Sequence, residues 1–482
     1  VRPLESLLPL SLAAALVGPF LPAAARRRWA PAAAALVALT VALHLGVERW
    51  RPQMAPLYAV AVAVVVATAA VATRGRRRVP SPSSSLVSGP GSGLRFGAGR
   101  RSVVAVGLAA IVVAGGGVLA GWLMPVVTLP TPTGPHPVGI VDREVTAAAA
   151  AAAARAGASG RRLMATVWYP AAAAGPDAPL TRHPDQIAAA LGNLAGLPAL
   201  AFHHLRHVDV AAAEGAAVLE APAPFPVLVF SHGMVGLRSQ NAPTFQELAS
   251  WGYVVVALDH TDAAAVTVFP DGEERFYDPE RFGIAAGIAP THAEVERKMF
   301  PVWVADQRAA YDAVATWAVD DPLLAGALDP SRMGSFGHSF GGATALEVCR
   351  VDARCRAAAN LDGGLYGGIG RDLAVRPLLV ISSADSAENA EAVAGWADLV
   401  ERATAGATWL ELPNSSHLSF TFSELLSPLL VPPGYDPRAG LQVVADHLRA
   451  FFDAELRAAG APSPAPAADA DAVRIRAEHR PR

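Results

Sequence analysis

The sequence predicts two objects on one chain: an α/β domain with a mainly parallel sheet and, ahead of it, four transmembrane helices. Three observations carry this. From Arg161 onward, short β-branched runs alternate with helical periods, the pattern of strands joined by crossover helices. Before that point, four apolar runs follow one another near residues 7–25, 29–46, 52–72 and 103–127, none containing Asp, Glu, Lys or Arg. Charge divides the same way. Residues 1–128 hold thirteen Arg and no Lys against Glu5 and Glu48, a net of +11, which leaves −14 for the other 354 residues of a chain whose total is −3. The apolar content, 52%, excludes disorder throughout. Two cysteines exclude a disulfide-dense scaffold, and the acidic larger part argues against a nucleic-acid partner.

Four successive stretches fit a set of spans better than one cleavable leader. The first is the weakest, since Pro9, Pro19 and Pro22 interrupt it. Positive charge marks cytoplasmic loops. Ten Arg fall in the first and third loops (Arg26, Arg27, Arg28; Arg74, Arg76, Arg77, Arg78, Arg95, Arg100, Arg101), against Arg49 and Arg51 in the second. The expected topology therefore has both ends of the segment outside the cytoplasm, in the plasma membrane, with a flexible linker at PSPSSSLVSGPGSG. His44 is the one ionisable residue expected within the spans, so the segment reads as an anchor rather than a transport path.

In the second part, strands are predicted at 163–169, 226–231, 253–259, 332–338, 357–361, 377–382 and 408–412. Helices are predicted at 243–251, 301–319, 341–350, 387–403 and 441–456. The long interruptions at 171–225 and 261–300 suit lids or binding loops. The expected organisation is a membrane segment over 1–128, a linker over 129–160 with a low-complexity stretch at 147–154, a folded domain over 161–459 and a disordered tail over 460–482.

The sharpest chemical signal is MGSFGHSFGG, in which Gly337, Ser339 and Gly341 form G-x-S-x-G between a predicted strand and a predicted helix. A turn that sharp strains the nucleophile's backbone and leaves no room for side chains two residues to either side. A serine alcohol needs a base, which follows the acid in this arrangement's chain order. His417, in LELPNSSHLSF just past the last predicted strand, stands where that base is expected. Two acids lie at strand ends, Asp362 in AANLDGG and Asp385 in VISSAD, and chain order alone leaves both open. An oxyanion needs two backbone N–H donors. Phe340 supplies one, and VLVFSHGMVG supplies the other at Met234, with Gly233 allowing the tight turn.

PVLVFSHGMVGLRSQN, ELASWGYVVVALDH, GSFGHSFGGATAL, AAANLDGG and SSHLSFTF, in that order, resemble successive blocks of the plasma-type platelet-activating-factor acetylhydrolases and their bacterial relatives, over residues 130–456. The resemblance implies an α/β-hydrolase fold and calcium-independent cleavage of short or oxidised acyl esters of phospholipids or similar esters. It also implies a triad acid after the strand that follows the nucleophile helix, which is Asp362. Met234 stands where these sequences often have Leu, and GGLYGG replaces an aromatic cluster after Asp362.

His260 and Asp262, past a strand's C-terminal end, either line the pocket or make structural hydrogen bonds. Cys349 and Cys355 are either a disulfide or two buried thiols. His203 and His207 have helical i, i+4 spacing, but no carboxylate or Cys completes a metal site nearby, so neither metal nor other cofactor is expected. The function expected is membrane-anchored ester hydrolysis by Ser339, His417 and Asp362 on a small ester or lipid substrate. Its rivals are an acyltransferase or broad carboxylesterase of the same chemistry and, from another class, a membrane sensor or scaffold with a non-catalytic domain.

Overall fold

The computed structural model describes residues 3–18, 21–76, 96–147, 160–285, 291–372, 374–457 and 473–480. It divides into two units, residues 1–127 with 200–204, and residues 128–199 with 205–482.

The first unit contains helices α1 (Pro3–Val17), α2 (Ala23–Leu43), α3 (Ala55–Arg76) and α4 (Phe96–Leu123). Its buried cluster joins Leu8, Leu12, Val37, Met54, Leu57, Val60 and Ala61. Four transmembrane spans are not supported. Among the described residues, two helices are long and apolar enough to cross a membrane, Arg27–Glu48 and Pro52–Ala70. The apolar helix Leu4–Val17 stops short of Pro19 and Pro22 and, at 1.5 Å per residue, covers ~21 Å of a hydrocarbon core ~30 Å thick. The described apolar part of α4, Leu108–Leu123, covers ~24 Å. His44 is buried, 3.1 Å from the Tyr58 hydroxyl and 3.5 Å from Glu48, and Arg51 pairs with Glu5. The expected linker at PSPSSSLVSGPGSG lies outside the described residues.

In the second unit, β-branched and small residues on both faces build a sheet covered on both sides, as parallel strands require. Its strands are β1 (Val138–Ala147), β2 (Arg161–Pro170), β3 (Ala178–Pro179), β4 (Asp209–Val210), β5 (Ala213–Glu214), β6 (Phe225–Ser231), β7 (Val254–Asp259), β8 (Val266–Val268), β9 (Glu274–Phe276), β10 (Leu328–His338), β11 (Cys355–Leu361), β12 (Leu378–Ser383), β13 (Ala407–Leu412) and β14 (Arg474–His479). Ten of them form one sheet in the order β14-β13-β12-β11-β10-β6-β7-β2-β1-β5. β7, β6, β10, β11, β12 and β13 run parallel; on the flanks, β2 pairs antiparallel with β7 and β1, β14 pairs antiparallel with β13, and β5 pairs parallel with β1. The helices that position the site are α5 (Pro184–Ala195), α6 (Ala242–Ser250), α7 (Phe300–Asp320), α8 (Phe340–Val351), α9 (Ala390–Arg402) and α10 (Pro437–Leu456). This is an α/β fold with a mostly parallel sheet.

Every strand and helix expected in this unit forms, most within two or three residues of the expected ends. Two expectations at its borders are corrected. Residues 129–160, expected as a linker, supply β1, which pairs with β2 over ten residues; its alternation is hidden behind the Pro- and Gly-containing stretch before it. Residues 148–159, most of the low-complexity stretch, lie outside the described residues. The tail expected to be disordered supplies β14, whose Arg474 and Arg476 pair with Glu411 of β13 and close that edge of the sheet. Composition pointed away from structure there because the Pro- and Ala-rich residues precede the strand rather than form it.

Cys349, in the last turn of α8, is bonded to Cys355 at the start of β11, so the return from α8 to the sheet is covalently closed. Both sulfurs are buried. Replacing both cysteines by serine should lower unfolding free energy by about 2 kcal/mol, the loop-closure value for so short a ring. Urea denaturation checks this; a loss near zero would mean that the bond adds nothing to the packing around it.

Candidate active site

β10 ends at His338 and α8 begins at Phe340, leaving Ser339 alone to make the turn. Its backbone has φ 56° and ψ −124°, a conformation L-residues rarely adopt. The turn closes only because of its glycines. A Cβ on Gly337 would stand 2.2 Å from the Gly341 carbonyl oxygen, and one on Gly341 would stand 2.1 Å from that of Ser231. The strained turn is held by hydrogen bonds: Ser339 N–H donates to the Leu361 carbonyl at 2.8 Å, and the N–H groups of Gly342 and Ala343 donate to the Ser339 carbonyl. The bond to Leu361 brings Ser339 beside Asp362.

Asp362 follows β11 and is almost fully buried. Its carboxylate accepts from His417 Nδ1 at 2.7 Å, from Ser383 N–H at 2.7 Å, and from the Ser383 and Ser386 hydroxyls at 2.9 Å each. Burial pushes this carboxyl up, but the bonds from His417 and Ser383 outweigh it and hold the group below the usual carboxylate range. Asp385, the other candidate acid, precedes the short turn Ser386–Glu388 without a side-chain capping bond, and its N–H donates to the Ser415 carbonyl. Because Nδ1 donates to Asp362, Nε2 is left as the basic nitrogen of the half-exposed His417.

The loop that carries His417 is tied to the loop that carries Met234. His338 Nε2 lies 2.8 Å from the His417 carbonyl, and Gln240 Nε2 lies 3.2 Å from His338 Nδ1. A carbonyl only accepts, so His338 carries its proton on Nε2 and takes the Gln240 amide on Nδ1. Burial, reinforced by the neighbouring His417, holds this imidazole far below its ordinary range and keeps it neutral. Asn241 Nδ2 donates to the Phe420 carbonyl at 2.5 Å, and Phe422 N–H donates to Gln240 at 3.0 Å. Glu424, buried, accepts from Ser416 and Ser419 on either side of His417 at 2.7 Å each.

Gly233 abuts Ser339: a Cβ there would lie 3.2 Å from both Ser339 Cβ and His338 Nδ1. Met234 and Phe340 sit in one apolar cluster with Phe282, Phe300, Trp303 and Tyr366. Tyr366, within GGLYGG, packs against Phe300 and Phe340 and stacks on His292 with ring centres 4.5 Å apart, so aromatic rings from other segments gather around it. Of the candidate pocket residues, His260 and Asp262 are instead buried. His260 meets Asp306 and Ser231, while Asp262 meets Arg161 and Arg275, because each turns back toward charged partners behind the sheet's end. His203 and His207 lie in the 3₁₀ segment Ala199–His207, where i, i+4 residues do not share a face. Among the described residues, no group of three or more His, Cys, Asp or Glu is placed to hold a metal.

Ser383, Ser386, His338, Gln240 and Glu424 escaped the sequence reading. The first had a signal: a serine pair ending a predicted strand. The others act through the fold and had none.

Residues 123–284 match the family model described as platelet-activating factor acetylhydrolase, isoform II. The resemblance to the platelet-activating-factor acetylhydrolases holds. The platelet-activating factor acetylhydrolase of Cavia porcellus is 29% identical over 175 residues, which are 33% of this chain and 40% of that protein. A probable 1-alkyl-2-acetylglycerophosphocholine esterase of Arthroderma benhamiae is 30% identical over 145 residues, 30% of this chain and 32% of its own length. The chain thus spans two fifths or less of these curated relatives. In three dimensions it is similar to a ferulic acid esterase from Streptomyces cinnamoneus, with a TM-score of 0.57 and 27% identity, over 73% of this chain and 99% of that one. The family match covers the Met234 loop of this acetylhydrolase-like unit and ends before Ser339.

Since the folded-state pKa of Asp362 is depressed, its ionised form adds stability that is present above about pH 4 and lost as pH falls through the folded value. Asp362→Asn should therefore lose less of its Tm between pH 5 and pH 3 than the parent chain. Equal losses in parallel calorimetric scans would show that the carboxylate's bonds add nothing to folding.

Proposed function

We propose that this chain is a membrane-anchored serine carboxylic ester hydrolase of the α/β-hydrolase type. Its proposed substrates are short or oxidised acyl esters of phospholipid-like molecules. The observations that carry the reading are the Asp362–His417 bond, which leaves Nε2 as the basic nitrogen of His417, and Ser339 held in a strained strand-to-helix turn whose N–H bonds to Leu361, the residue before Asp362. Ser339 Oγ attacks the ester carbonyl as His417 takes its proton, and Asp362 holds the ring and stabilises the imidazolium. The amides of Met234 and Phe340 hold the developing oxyanion, worth about 3 kcal/mol per donor. The protonated His417 then releases the alcohol, and water, activated by the same ring, frees the acyl group. The acetyl ester in the names of the relatives supports a short acyl group, and the esterase neighbour supports ester chemistry.

The membrane part of the reading rests on the apolar helices Arg27–Glu48 and Pro52–Ala70. A disulfide in the hydrolase unit fits a site outside the cytoplasm, since thiols stay reduced inside. Tethering there keeps the site near lipid.

Ser339→Ala should lower nitrophenyl-acetate turnover on the order of 10⁶-fold and abolish labelling by a fluorophosphonate. A variant that still turns over at the parent rate would remove Ser339 from the chemistry. For orientation, alkaline phosphatase fused after Val127 is expected to be active and a fluorescent cytoplasmic reporter dark. The reverse pattern would place the hydrolase unit inside.

A further inference from the structure

Behind the oxyanion loop lies a second serine–histidine–aspartate series. Ser231 ends β6, His260 follows β7 and Asp306 sits on α7; the first two and Asp306 are all 0% exposed. His260 Nδ1 is 3.1 Å from Asp306 Oδ2, and its Nε2 is 3.0 Å from Ser231 Oγ. A carboxylate only accepts, so the proton is on Nδ1 and the Ser231 hydroxyl donates to Nε2. Burial lowers the His260 pKa and favours the neutral ring. Arg161, 3.1 Å from Asp306, balances the aspartate's charge. No substrate reaches a serine so enclosed.

The series leads instead into the oxyanion loop. The His260 backbone N–H donates to His232 Nε2 at 3.1 Å, so a neutral His232 carries its proton on Nδ1, which lies 2.6 Å from the Gly233 carbonyl. Across a trans peptide, C=O and N–H point in opposite directions. Holding the Gly233 carbonyl therefore aims the Met234 amide. The loop needs holding, because Val235, a β-branched residue, has φ 59°. The second donor is reached through Trp303, which stacks on His260 with ring centres 3.9 Å apart and meets His232 at 5.0 Å and Phe340 at 4.8 Å.

We propose that the buried Ser231–His260–Asp306 series is a positioning device that locks His232 and Trp303 and so aims the Met234 and Phe340 amides at the oxyanion. It deepens the ester-hydrolase reading and rests on it. The three residues are positioning residues, since none touches the reacting atoms.

The test uses the full chain and compares Ser231→Ala, His260→Phe and His260→Gln with the parent. Nitrophenyl acetate gives kcat and KM, a trifluoromethyl ketone reports transition-state affinity, and thermal melting reports folding. Ser231→Ala and His260→Phe should lower kcat by about 10- to 100-fold, a fraction of losing a donor outright. KM should stay within about twofold and ketone affinity should fall in step with kcat. His260→Gln, whose amide can still reach Ser231, should recover part of the loss. Should His260→Phe not fold, Ser231→Ala and Asp306→Asn carry the comparison. Folded variants with kcat and ketone affinity within about threefold of the parent would overturn the proposal, as would fluorophosphonate modification of Ser231 in a Ser339→Ala chain. A parent chain that neither hydrolyses the ester nor takes the label would overturn the underlying reading instead.

Discussion

Everything at the site depends on one backbone residue held where it would not go by itself. Ser339 sits at φ 56° between β10 and α8, and such a conformation costs of order 1–3 kcal/mol unless its surroundings impose it. Here they do: the parallel strands on either side, the Gly337–Gly341 contact and the bond to Leu361 leave the chain no other path. The same turn projects the hydroxyl off the sheet's end and sets the Phe340 amide at the start of a helix, where the dipole favours negative charge. A sheet of fewer or looser strands could not impose it.

Around this turn, Asp362, His338 and one carboxylate oxygen of Glu424 are held by hydrogen bonds. Asp362 has four donors, His338 has one partner on each nitrogen, and Glu424 braces both flanks of His417. Buried polar groups are costly when unpaired and specifying when paired. The site is therefore rigid where it must hold geometry. His417, half-exposed, is the member open to solvent, from which the proposed hydrolytic step would draw its water.

Much of this was legible in the sequence, for physical reasons that differ by element. The strands flanking Ser339 are continuous apolar runs, and the turn needs two glycines at fixed spacing, so both leave local marks. Asp362 was distinguishable from Asp385 only through resemblance, because choosing between two strand ends needs the register of β11 against β12. β14 was missed because an edge strand carries half a hydrophobic pattern and can be largely charged or polar, as RIRAEH is, and β1 because the Pro- and Gly-containing stretch before it hides its alternation. The four spans were overread, since hydropathy counts residues and does not see where α1 stops at Val17. The network linking His232 to Asp306 joins residues 74 positions apart, a distance over which no local pattern speaks.

The cross-tie through Gln240, Asn241 and His338 has a consequence for how such a catalyst can change. The loop proposed to receive negative charge and the loop proposed to shuttle the proton share fasteners, so neither can be reshaped alone. Adaptation to a bulkier alcohol or a longer fatty chain would therefore fall to the apolar cluster of Phe282, Phe300 and Tyr366, outside this cross-tie, within the limit that Phe300 and Tyr366 also pack against Phe340.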